Sequence, residues 1–208
     1  MSTPQLLAAS LMLCVAAWFD PVHAQAGPAA DVCKLARAPG TGSEMKIPFD
    51  VVDGRIYVQA QVDGRGPFRF AVDTGASGWG RADSSLVAAL HLKMGKPATT
   101  SDGVKATQVA TVHLDSLALA RLSRRNLDVI ARDYDSHMPP AAAFSGIIGW
   151  EFFADGLLII DYPGRTLSFS RKLPLPPAGK NVVRYERAFR VPVSIGEVQT
   201  EGNLDTGA

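Results

Sequence analysis

Cysteine is nearly missing from this 208-residue chain, with Cys14 and Cys33 its two instances, and only four histidines are present. No cysteine pair or His-Glu-x-x-His run stands ready for zinc, so the chemistries that depend on them have no footing. No glycine-rich stretch is followed by Lys-Ser or Lys-Thr, as a phosphate loop requires, and Ser77 lacks the flanking glycines of a nucleophile elbow. A surplus of charge is also lacking: 21 basic residues face 20 acidic ones, a balance that argues against a nucleic-acid or membrane-surface partner. The one basic cluster, Arg121-Leu122-Ser123-Arg124-Arg125, reads as a solvated strand end. Long apolar runs are missing as well. Leu6 to Phe19 falls short of the roughly 20 residues that span a bilayer, so no stable membrane anchor is expected.

That apolar run is followed by Asp20-Pro21-Val22-His23-Ala24, whose small residues at Val22 and Ala24 fit cleavage after Ala24. Residues 1–24 are therefore expected to be a signal peptide and the chain to be exported, periplasmic or secreted. A buried N-terminal helix is the competing reading, because no Lys or Arg precedes the run. Residues 25–45 are rich in Ala, Gly, Pro, Thr and Ser without periodicity and read as a disordered leader holding a tolerated Cys33. His91, His113 and His137 read as surface or satisfied core residues, and neither metal nor cofactor is expected.

What the chain does have is Phe68-Arg69-Phe70-Ala71-Val72-Asp73-Thr74-Gly75-Ala76-Ser77. Phe68, Phe70 and Val72 alternate with Arg69 and Ala71, the period of a strand with one face in the core. The strand ends on a carboxylate. Gly75 permits positive φ or the close approach of a second backbone, and Thr74 offers a hydroxyl to a neighbouring loop. The same tetrapeptide returns as Asp205-Thr206-Gly207-Ala208, preceded by Leu204 where the first copy has Val72. The approach segments, Ile56 to Gly64 and Phe189 to Gly196, are alike too, so the chain holds an internal repeat whose second copy stops at its carboxylate loop.

Between the copies the pattern is one of short strands: Lys46 to Val52, Arg55 to Val62 and Phe68 to Val72, with hairpins at Gly54 and Gly64. Asp83 or Ser84 caps a short helix with Leu86, Val87 and Leu90 on one face. Lys96 to Ser101 and Val104 to Leu114 flank a turn at Asp102-Gly103, and Leu117 to Leu119 and Asn126 to Ile130 add two strands. Asp133 to Ala143 reads as a loop. Gly146-Ile147-Ile148-Gly149-Trp150-Glu151-Phe152-Phe153 is an apolar element, and Leu157 to Tyr162 with Thr166 to Phe169 makes a hairpin. Pro174, Pro176 and Pro177 mark a linker at 173–181.

Three of these features together resemble the retropepsin-like aspartic peptidases, and most of all their bacterial exported members with two units in tandem. Val72 to Ser77 is similar to the family's hydrophobic-Asp-Thr-Gly-Ala-Ser loop. Gly146 to Gly149 is similar to the element that crosses behind it, with Glu151 where members more often have Asp or Asn. The Leu157 to Phe169 hairpin is similar to the one that closes each unit. Order and spacing agree from about residue 46 to 170.

The resemblance implies an all-β barrel lobe with one or two short helices at 46–172, followed by the first strands of a second lobe at 182–208. It implies an endopeptidase acting on a peptide or protein substrate through a water held between two carboxylates, Asp73 and Asp205. Thr74, Gly75, Ala76, Ser77, Thr206 and Gly207 would support the loops, Ile147, Ile148 and Gly149 would form the crossing element, and Asp102-Gly103 would tip a flap. Two other readings stay open: a homodimer in which Asp73 meets its twin, and a peptide-binding or scaffold module without turnover. Because the second unit has so few strands, its sheet is expected to leave edges unpaired and to hold Asp205 loosely.

Overall fold

The computed structural model describes residues 45–101, 106–173 and 189–207. The expected signal peptide, all of the leader before Met45, the Asp102-Gly103 turn, most of the linker and residues 182–188 lie outside the described residues. Met45 itself is the first residue of a strand and is buried, because it packs into the core, so the expected leader boundary moves back by one residue.

Six strands close into a barrel: β3 (Arg55–Val62), β4 (Arg65–Asp73), β10 (Gly146–Gly149), β5 (Gly80–Asp83), β9 (Leu122–Arg132) and β8 (Thr111–Leu119), in that order around the sheet. The last returns to the first through Gln61↔Ala118 and Val62↔Leu117. β2 (Asp50–Val52) adds to the other end of β3. The hairpin turns lie at the expected glycines, with φ of 49° and 81° at Asp53-Gly54 and 51° and 71° at Asp63-Gly64, the paired positive values that suit the twist of two-residue hairpins. Ile56, Val58, Ala60 and Val62 from β3 and Phe70 and Val72 from β4 meet Leu114, Leu117, Leu127, Val129 and Ile148 inside the barrel. This alternation is the period-2 pattern of the sequence put to use.

A three-stranded sheet, β1 (Met45–Pro48), β12 (Thr166–Ser170) and β11 (Leu157–Asp161), contributes Met45, Leu167 and Phe169 to the same core. Helix α1 (Ser84–Leu90) buries Leu86 and Leu90, with Val87 partly buried beside them. Asp83 is its N-cap, accepting from the Ser85 amide. β6 (Ala98–Ser101) and β7 (Ala106–Val109) form a two-stranded ladder apart from the barrel. β13 (Arg190–Ile195) and β14 (Val198–Asn203) form another.

Three further expectations change. Lys46 to Val52, expected as one strand, is split at Phe49 into β1 and β2, which join different sheets. Thr111 to Leu114, expected within the strand Val104 to Leu114, is continuous with Leu117 to Leu119 in a single strand, β8, whose ladder with β9 skips Asp115 and Asn126 and resumes at Ser116↔Arg125. Asn126, with φ 55°, takes up the irregularity, while Asp63 and Ser116 lock the middle of the strand through two hydrogen bonds. The basic cluster is also not uniformly solvated. Arg124 turns inward, donates to the Phe152 carbonyl oxygen and pairs with Asp155. Arg124, with Arg171 second, holds the Asp155 carboxyl well below the usual carboxylate range.

Asp83 also fastens the long segment 133–145 to the barrel. Burial pushes its carboxyl up, but hydrogen bonds from Ser85, Tyr134 and Asp135 outweigh burial and leave it lowered. Stabilisation from such a group is present above the ordinary value of 3.8 and is lost as pH falls through the lower folded value. Asp83→Asn is therefore expected to cost about 1–3 kcal/mol near neutral pH. In urea unfolding its gap from the native chain should narrow as pH falls below 3.8.

Candidate active site

β4 delivers Asp73 at the end of the barrel beside β10, which runs parallel to it with Gly149 level with Asp73. Ile148 is fully buried and anchors the crossing element, while Ile147 faces a pocket next to Asp73. Gly149 allows the loop to fold back over it, because an added Cβ would lie 2.8 Å from the Ala76 carbonyl oxygen and closer still to that of Gly78. The Trp150 amide donates to the Ala76 carbonyl and the Gly78 amide to Glu151 Oε1 at 3.3 Å, so glutamate supplies a contact to the loop at the position where it departs from the family pattern. Ser77 is held by Arg81, which donates to its carbonyl oxygen and hydroxyl.

Within the loop, Asp73 Oδ1 accepts from the amides of Gly75 at 2.8 Å and Ala76 at 2.9 Å. The second copy repeats the device, with the Gly207 amide donating to Asp205 Oδ1 at 2.7 Å. The hairpin β13–β14 carries Asp205 as β3–β4 carries Asp73, and the carboxylate stands nine positions after the turn glycine in both, Gly64 to Asp73 and Gly196 to Asp205.

The two loops face one another and exchange hydrogen bonds. The Thr74 hydroxyl donates to the Leu204 carbonyl at 2.6 Å and accepts from the Thr206 amide at 3.1 Å. The Thr206 hydroxyl donates to the Val72 carbonyl at 2.7 Å and accepts from the Thr74 amide at 3.1 Å. The expectation that the short second sheet would hold Asp205 loosely is corrected here: the loop takes its partners from the first unit instead of from strands of its own. Arg55 adds a further tie, donating from Nε to the Gly207 carbonyl at 3.0 Å.

The glycines of the two loops serve close approach and not positive φ. A Cβ on Gly75 would overlap the Asp205 carboxylate and one on Gly207 the Asp73 carboxylate, while the positive φ of the first loop falls on Gly78. Each acid thus sits against the other's glycine. Burial, then the Asp205 charge, then a hydrogen bond with Asp205 raise the Asp73 carboxyl above its ordinary 3.8, against the opposing pull of the Ala76 and Gly75 amides. Asp205 itself is exposed, and among the described residues its own unit contributes the hairpin β13–β14.

On the first unit's side lies an open pocket of about 200 Å³, bounded by Asp73 and Gly207 and walled by Arg55, Tyr134, Phe144 and Ile147. Asp133 to Ala143, read as a plain loop, supplies that wall together with Phe144, and the segment is tied down at several points. Asp83 holds its start, Arg69 donates to the carbonyls of Ala141 and Ala143, and the Phe144 amide donates to Asp135. Arg69 also lies over the buried Tyr57 ring at 3.9 Å. No short-range sequence pattern points to Arg55 or Tyr134. The turn at Asp102-Gly103 lies outside the described residues, and the side chains of the three histidines stand apart from the pocket lining. Among the described residues no group of three or more His, Cys, Asp or Glu side chains is placed to hold a metal ion.

Thr206→Ala removes both bonds of the Thr206 hydroxyl. Hydrogen exchange read by mass spectrometry is expected to show the amides of 190–203 losing about tenfold or more of their protection, with the barrel strands unchanged. Equal protection in both chains would show that the hairpin is held some other way.

Residues 58–152, a little under half of the chain, match the family model described as Aspartyl protease. No curated protein matches the chain. The unit that carries Asp73 is thus similar to aspartyl proteases, and that similarity supports a peptidase function in general terms.

Proposed function

We propose that this chain is an aspartic endopeptidase in which Asp73 and Asp205 activate one water for attack on a peptide bond. The observation that carries the reading is the reciprocal placement of the two carboxyls, each against the other's loop glycine, with Asp73 raised by burial and by Asp205. Two carboxyls in contact cannot both ionise, so the pair holds one proton between them. The ionised member takes a proton from the water as its oxygen attacks the carbonyl carbon, and the protonated member gives its proton to the carbonyl oxygen. No covalent intermediate with the protein forms. The proton count is conserved at this step, which leaves the pair able to protonate the departing amine as the tetrahedral intermediate collapses.

The geometry favours the intramolecular pair over two copies of Asp73. The place a twin loop would take is filled by Leu204 to Gly207, and a homodimer built on Asp73 would have to displace four inter-loop hydrogen bonds. The binding-module reading shares the same pocket and differs only in turnover.

Cleavage of an unstructured protein by the purified chain tests all of these. The rate is expected to rise in proportion to protein concentration and to fall by about a thousandfold or more in both Asp73→Asn and Asp205→Asn. A rate rising with the square of concentration, and surviving Asp205→Asn, would transfer the chemistry to a homodimer. No cleavage by the native chain would leave binding without turnover. Because Asp73 is raised, its shared proton persists above pH 3.8 and is lost only as pH passes the higher folded value. Ala76 brings no hydroxyl to the pair, so the maximum is expected at weakly acid to neutral pH; a maximum below about pH 3 would overturn this.

A further inference from the structure

Arg55 opens β3 and pairs across the ladder with Val52, which places it at the rim of the pocket. Its Nε is committed to the Gly207 carbonyl, and among the described residues its two terminal nitrogens have no acceptor. With Nε alone committed, the guanidinium keeps two donor nitrogens for a further partner. Asp73 and Gly207 close the end of the pocket at the carboxyl pair, and the remaining walls are mostly apolar: Ala71, Met138, Phe144 and Ile147, together with Tyr134. A pocket of about 200 Å³ has room for one amino-acid side chain. A purely apolar occupant would leave the cation at the rim unpaired. One with methylenes for the walls and a carboxylate at its tip satisfies both surfaces, since a planar guanidinium receives a carboxylate through parallel hydrogen bonds.

We propose that this pocket takes a glutamate side chain of the substrate next to the scissile bond, with its carboxylate received by the free end of Arg55. The assignment rests on the peptidase reading above and adds to it a specificity-determining residue and a substrate class. Phe144 and Ile147 hold the glutamate methylenes, and segment 133–145 sets the depth.

The test maps cut sites by mass spectrometry after the full chain digests an unstructured protein, and scores each position around the cleaved bond. Glutamate is expected to exceed leucine by about tenfold or more at one fixed position. In Arg55→Gln, which keeps a donor for the Gly207 carbonyl but no charge, the ratio should fall to near one at the bonds still cut. Arg55→Lys should keep glutamate ahead of leucine and serves where the glutamine variant fails to fold. Leucine or phenylalanine dominating that position in the native chain, or a glutamate preference that survives Arg55→Gln, would overturn the proposal while leaving the peptidase reading intact. Should the native chain cut nothing, the peptidase reading fails by itself. The pocket is then tested by calorimetric binding of two peptides that differ only in Glu or Leu: a glutamate advantage of about tenfold or more supports the assignment, and near-equal binding overturns it.

Discussion

The exchange of hydrogen bonds between Thr74 and Thr206 is the constraint on which the site depends. Each hydroxyl both donates and accepts, so each loop satisfies polar groups that the other could not satisfy alone. Water could replace any one of these bonds at little net cost, since an exchanged hydrogen bond contributes only about 1 kcal/mol. The arrangement is directional in a way water is not. Four bonds shared between two residues fix the loops' separation and twist together, and with them the positions of Asp73 and Asp205. Glycine at 75 and 207 then becomes a requirement, because any side chain there would occupy the space of the opposite carboxylate.

The two halves of this pairing are built very differently. Asp73 stands on a strand of a closed barrel, backed by the parallel strand Gly146–Gly149 and by a core in which Ile56, Phe70 and Ile148 are almost wholly buried. Asp205 stands on a hairpin whose large apolar side chains at Ile195, Val198 and Leu204 are exposed. An isolated two-stranded hairpin is marginal in water, so the order of the second loop is borrowed from the first. Desolvation follows the same division and appears as the first cause of the raised Asp73 carboxyl.

How much of this could be read along the chain depends on the range of the interaction. The alternation that ends on Asp73, the turn glycines at 54 and 64, the helix cap at Asp83 and the Gly-Ile-Ile-Gly element are local patterns, and each is legible because backbone geometry restricts which residues those positions accept. The second copy of Asp-Thr-Gly is legible as a repeat. Its docking is not, since Thr74 and Thr206 stand 132 residues apart and their partners are mostly backbone groups that every residue possesses. Arg124 reads as one charge in a basic cluster until Asp155 and the Phe152 carbonyl are folded against it. Segment 133–145 carries no periodicity because it is held by single hydrogen bonds and not by a ladder: Phe144 and Ser136 bond within it, while Asp83 accepts from its start and Arg69 donates to its carbonyls.

Arg55 shows why the site must be considered as one unit. It leaves the barrel at the start of β3, yet its Nε bonds to the loop of the second copy, and its side chain borders the pocket of the first. Docking of the second loop therefore fixes the guanidinium plane in addition to the carboxyl pair. A freely rotating arginine would lose side-chain entropy on receiving any ligand, whereas one already held at Nε has given up much of that freedom in the folded state. The same tie means that loosening the second loop would disturb the pocket and the carboxyls together. The carboxyl pair and the pocket share one hinge of hydrogen bonds between two loops, which is the consequence of building a site where two copies of a short strand-loop unit meet.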